Sequence, residues 1–202
     1  MPRSFLCGGL ALAKTEHSAG VPVLLRSLYE ALVDLDNLLR DTDYRERMEA
    51  DNIVQFLKVL EASPSNPLLA GLAERHDLVA LKTELSSQLK DLHSRRRGQM
   101  DFRTRCEAMS RGNEYTSIYL LLCLDAHNNV SSLFDRHVSG RELGQVEVSV
   151  FGDGNPFGLA SRVSMGVGWM LQSAEFVHGA FRTGYAGIAQ LQKQHTDLRK
   201  AR

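Results

Sequence analysis

The stretch VLLRSLYEALVDLDNLL, residues 23–39, limits the fold more than any other part of the chain. Leu24, Leu25, Leu28, Leu32, Leu35 and Leu39 recur at helical steps, a spacing that lines one face of an α-helix and not one face of a strand. Pro22 suits the first turn of such a helix, where its missing N–H costs nothing. The period returns in DTDYRERMEADNIVQFLKVLEA, residues 41–62, with Ile53, Phe56, Leu57 and Leu60 on the apolar face. Asp43 and Glu46 there have the spacing of a capping box, and Ser63-Pro64 ends the run.

Further on, Asn66-Pro67 reads as the cap and first position of a third helix. Leu78, Leu81, Leu85, Leu89 and Leu92 carry that helix to about residue 97, and Gly98 breaks it. A short helix over about 103–109 leads to Gly112-Asn113, the cap of the next. A long last helix spans about 159–193. The chain is therefore expected to be an all-α bundle of five to seven helices, one domain over 1–202. RELGQVEVSVFGDGNPFG alternates Val146, Val148 and Val150 with polar residues before a turn cluster, so a loop or β-hairpin insertion is expected at 139–158.

At 202 residues, with 43% hydrophobic and 24% charged side chains, the chain has ample material for a core. Its formal net charge of zero removes any whole-molecule field toward nucleic acid or anionic lipid, so such binding would need a local patch. Cys7, Cys106 and Cys123 are odd in number and far apart, which argues against a disulfide scaffold or structural zinc and for a reducing cytoplasm. MPRSFLCGGLALAK is short for a secretory signal and reads as a first helix, or part of one. No apolar run approaches the roughly 20 residues that span a bilayer. A soluble cytoplasmic protein is expected, with no membrane association and no cofactor.

Five glycines, Gly166, Gly168, Gly179, Gly184 and Gly187, fall in the last helix, and each costs about 1 kcal/mol relative to alanine in a helix interior. Close helix packing, which a homodimer through this helix would also supply, is the first explanation; backbone approach to a ligand is the other.

NEYTSIYLLLCLDAHNN, residues 113–129, carries a polar column through an apolar helix: Tyr115, Tyr119, Cys123 and His127, each four apart. Buried, each polar tip demands a partner. Arg26, Glu30 and Asp34, at i, i+4 and i+8, would supply them, either as a structural network or as a site in which a carboxylate orients His127 as general base. Six arginines, Arg95, Arg96, Arg97, Arg103, Arg105 and Arg111, with His93 and Phe102 among them, are a candidate nucleic-acid grip; the ordinary alternative is a solvated connection around Gly98. Glu175-x-x-His178 is one E-x-x-H step, where di-metal bundles need two and further carboxylates, so no metal site is assigned. The Gly152-x-Gly154 cluster misses the dinucleotide spacing, and G-x-S-x-G, H-E-x-x-H and a Walker lysine are all missing.

RSLYEALVDLDNLL followed some eighty residues later by YTSIYLLLCLDAHNN resembles a prokaryotic, all-helical family catalogued as a domain of unknown function. The pattern is an R-x-L-x-E helix, here Arg26, Leu28 and Glu30, then a Y-x3-Y-x3-S-x3-H helix, here Tyr115, Tyr119 and His127 with Cys123 in place of serine. The resemblance spans about residues 20–190 and implies more helix ahead of Arg26, a helical fold, and a meeting of Arg26, Glu30, Tyr119 and His127. It implies no activity. By family-level analogy the expected role is a helical accessory or interaction protein with an unknown protein or small-molecule partner, in a mobile-element or phage-defence setting. The alternatives are a hydrolase, with RNA as its candidate substrate, and a small-ligand or metal-binding bundle. The hydrolase would use His127 as base, Glu30 to orient it, Arg26 on an anionic group, and Tyr119, Tyr115 and Asp34 around them, the arginines holding the strand. The bundle would use Glu30, His127 and His178.

Overall fold

Helix α1, Val21–Arg40, buries Val21, Leu25, Leu28, Tyr29, Leu32, Val33 and Asp36, a face advancing by three and four. Each such apolar side chain contributes about 1.5–3 kcal/mol on burial, and truncating Leu28 to alanine would remove about 2–5 kcal/mol. The face is rotated from the leucine stripe: Leu39 is 41% exposed, while Tyr29 and Val33 are fully buried. A computed structural model describes residues 20–69, 71, 77–126, 138–139, 147–148, 159–183 and 186–200. His127, the opening segment and most of the 139–158 insertion lie outside the described residues.

The fold is all-α, with seven helices among the described residues. After α1 come α2 (Tyr44–Ala62), α3 (Leu78–Ser94) and α4 (Phe102–Ala108). Helix α5 joins Gly112–Glu114, a π-helical turn over Tyr115–Tyr119, and Leu120–Ala126. Helices α6 (Leu159–Phe181) and α7 (Ala186–Lys200) follow. Between α5 and α6, Val138 pairs with Val148 and Ser139 with Glu147 in a two-residue antiparallel ladder. No helix among the described residues is long and apolar enough to cross a membrane.

Packing divides the chain into two compact units, Met1–Leu39 with Cys106–Arg202, and Arg40–Arg105. In the second, α2 and α3 lie antiparallel, since Lys82 meets Glu61 at one end and Arg95 meets Glu46 at the other. Ala50, Ile53 and Leu92 are buried between them, with Leu57, Leu85 and Leu89 packed alongside. In the first, α6 and α7 pack on each other, and Trp169 of α6 lies against Tyr29 of α1 with ring centroids 4.8 Å apart.

Several boundaries depart from the sequence reading, each for a local reason. Asp43 does not cap α2 with its side chain; its carboxylate meets Arg97 at 2.5 Å instead. Pro67–Leu69 is only a 3-10 turn, and α3 starts later, where Asp77 accepts from the Val79 and Ala80 amides. The long last helix is two helices. Three helices end alike, on a left-handed residue that is not glycine: Arg96 (φ 59°), Ser110 (φ 58°) and Arg182 (φ 51°). The next amide then reaches five residues back, Arg97 to Leu92, Arg111 to Cys106 and Thr183 to His178. Gly98 therefore lies beyond the end of α3. Of the glycines in α6, Gly168 faces the α7 side chain His195; a Cβ there would sit 3.5 Å from the ring, so the two helices approach closely within the chain.

Candidate functional site

The geometry begins with a distortion in α5. The hydroxyl of Thr116 donates to the Gly112 carbonyl at 3.2 Å and that of Ser117 to the Asn113 carbonyl at 2.6 Å. Such back-bonding competes with the helix ladder and loosens it. The Leu120 amide reaches the carbonyl of Tyr115, five residues back, and one π turn results.

That turn sets Tyr119 against α1. Its hydroxyl donates to Glu30 Oε1 at 2.8 Å, and Arg26 Nε donates to the same oxygen at 3.0 Å. Arg26 Cζ lies 5.6 Å from the centre of the Tyr119 ring, within cation–π reach. Tyr115 stacks on Tyr119 at 5.4 Å, and Tyr29 lies 6.1 Å away on the interior side. Tyr119 is buried; Arg26 and Glu30 are half-buried, their side chains 27% and 35% exposed. Alone, an exposed pair in this Arg-first order would contribute a few tenths of a kcal/mol. The tyrosine hydroxyl makes it a three-membered network joining α1 to α5.

Electrostatics hold these groups in fixed states. Burial, then the Glu30 carboxylate and Cys123, push the Tyr119 hydroxyl well above the usual tyrosine range. It is a donor at neutral pH, not a base. Burial pulls the Arg26 guanidinium down, but Glu30 and Tyr119 outweigh it and raise it.

A second polar group sits deeper in the same unit. Arg111 is 7% exposed and Asp36 2%; Arg111 Nε lies 3.5 Å from Asp36 Oδ2, and Nη1 donates to both oxygens of Glu114 at 3.2 and 2.9 Å. The Tyr29 hydroxyl lies among them: burial first, then Glu114 and Cys106, raise it, and Arg111 opposes. Asp34 is half-buried, and its charge reaches the Cys106 thiol.

The structure thus brings Arg26, Glu30, Tyr115 and Tyr119 together, with Cys123 beside them. His127 lies outside the described residues. The arginine run is not one feature. Arg95 pairs with Glu46 and Asp91 at 2.7 and 2.8 Å, Arg97 with Asp43 and Glu46, and Arg105 with Asp51 at 2.8 Å. These side chains clamp the Arg40–Arg105 unit. Arg96 forms the α3 terminus, Arg103 is exposed on α4, and Arg111 belongs to the buried group. His178 Nδ1 meets Thr183 Oγ1 across the end of α6. Among the described residues no three His, Cys, Asp or Glu side chains converge on one point.

Tyr29, Asp36 and Trp169 are not singled out by the sequence, and Arg111 reads there as part of the arginine run and not as a buried partner of Asp36. A signal for Asp36 existed, since it continues the Leu28, Leu32 step with a carboxylate in a core position.

These features define a class: an all-α protein whose first and fifth helices are joined by a polar, tyrosine-rich centre. The chain belongs to the family of unknown function DUF5677, whose model matches residues 6–145. The match takes in α1 to α5 and ends ahead of α6. Searches of curated proteins and of solved structures returned no match.

Proposed function

We propose that the chain is a non-catalytic helical accessory protein that works by binding a protein partner, and that its polar centre is a structural joint. One observation carries this reading: Glu30 Oε1 takes both the Tyr119 hydroxyl and Arg26, and Tyr119 is held protonated. A carboxylate engaged by two donors is a poor base, and a tyrosine pushed upward is a poor nucleophile. Apolar side chains left in solvent support the binding role. Leu191 and Leu198, seven apart on one face of α7, are 53% and 69% exposed, and Phe181 at the end of α6 is 72% exposed. A second copy meeting this face would make the homodimer expected from the last helices, in a cytoplasmic setting.

The π turn favours a second reading, because such turns recur at functional sites. In it His127 is the general base of a hydrolase, oriented by Glu30. One experiment separates the two: RNA cleavage and thermal melting of wild type and Glu30→Gln, with the wild type also sized in solution. The accessory reading expects no cleavage above buffer, a lowered melting temperature for Glu30→Gln, and a self-associated or partner-bound wild type. Cleavage that Glu30→Gln abolishes at unchanged melting temperature would support the hydrolase.

A further inference from the structure

The Arg40–Arg105 unit carries a groove of about 670 Å³, in the range of small-molecule sites. Leu60 and Glu61 of α2 line it, and the rest of the lining is one face of α3, from Leu78 to Lys90. That face changes character along its length.

At one end it is apolar: Leu60, Leu78 and Val79, the last 77% exposed. In the middle the polar groups are already matched. Lys82 Nζ lies 3.2 Å from Glu61 Oε1, and the Thr83 hydroxyl donates to the Val79 carbonyl at 2.8 Å. At the far end stand Ser86, Ser87 and Lys90, at i, i+1 and i+4. Helical serines ordinarily bond back to the preceding turn as Thr83 does. Among the described residues neither of these hydroxyls has a hydrogen-bond partner and no carboxylate faces Lys90. The groove thus offers one unmatched positive charge with two hydroxyls, and an apolar floor about 16 Å away along the helix.

The complement is a molecule with one negative head and an apolar tail. A neutral ligand leaves Lys90 unmatched, a cation is repelled, and a polyanion finds a single free charge because Glu61 already neutralises Lys82. We propose that this groove binds a free fatty-acid anion, its carboxylate on Lys90, Ser86 and Ser87 and its chain on Val79, Leu78 and Leu60.

The test is calorimetric titration of the full chain with sodium laurate below its micellar concentration, beside dodecanol. Wild type should bind laurate saturably at one site, and dodecanol about tenfold more weakly, as for loss of a hydrogen bond to a charged group. Lys90→Ala should weaken laurate by about the same factor, Lys90→Arg should retain it, and Val79→Asp should abolish it. Circular dichroism verifies the fold of each variant, all at surface positions. Equal laurate affinity in wild type and Lys90→Ala, or binding that does not saturate, would overturn the proposal. So would a chain that ignores free laurate but floats with phosphatidylglycerol vesicles in a Lys90-dependent way, which would assign the groove to a membrane surface.

Discussion

Arg111 lies across Asp36, a residue seventy-five positions earlier, as a buried ion pair with 3.5 Å between Nε and Oδ2. Two charges out of water are tolerated only while each compensates the other, and Glu114 adds the second partner that Arg111 needs. The pair ties α1 to the turn ahead of α5, on the interior side of the tyrosine centre.

Removing one partner should therefore be costly. Asp36→Ala leaves a buried guanidinium short of a carboxylate and should lower stability by about 3 kcal/mol, a fall in melting temperature of roughly 6–12 °C. The double replacement Asp36→Leu with Arg111→Met should cost less than Asp36→Ala alone. Thermal melts of the three proteins check this, and equal losses for single and double variants would count against a compensated pair.

Cys106 should make the protein sensitive to alkali. It is fully buried, and burial pushes its thiol up to about 11; the Tyr29 hydroxyl opposes and Glu114 adds to the rise. The folded state then holds the proton more tightly than the unfolded one. The resulting stabilisation is complete below the ordinary thiol value near 9 and is lost as pH rises through about 11. The magnitude is about 3 kcal/mol. Tyr29 and Tyr119, both raised, extend the loss in the same direction. Urea midpoints across this window should fall more steeply for wild type than for Cys106→Ala, and Cys106 should resist thiol reagents in the native protein.

The left-handed Arg96 offers a gain. At φ 59° its Cβ crowds the backbone, which glycine avoids. Arg96→Gly should raise stability by about 1 kcal/mol, or roughly 2–4 °C, read as a shift in thermal midpoint. A fall instead would mean that the Arg96 side chain supplies more than its conformation costs.

Helical period made most of the fold legible. The stripe after Pro22 predicts α1 almost to the residue, because long apolar repeats have few other solutions. What the period hides is where helices stop on residues that are not glycine. Arg182 interrupts a pattern that reads as continuous, and Asp77 restarts one that reads as beginning at Pro67. The meeting of Arg26, Glu30 and Tyr119 was legible through the family resemblance, since both motifs lie on helix faces four residues in period. The π turn was not, as it depends on hydroxyls choosing carbonyls. Arg111 looked like one more member of a charge run, because sequence shows charge density and not which charge folds inward.

The central claim is that Tyr119 and Glu30 hold α1 to α5 as structure. A double-mutant cycle with Tyr119→Phe, Glu30→Gln and their combination, read by denaturant unfolding, tests it most directly. Glu30 is half-exposed, so the expected result is a loss of about 1 kcal/mol for Tyr119→Phe and a coupling of about the same size. Unchanged or raised stability in Tyr119→Phe, with no coupling to Glu30, would contradict it and return the tyrosine centre to the catalytic reading.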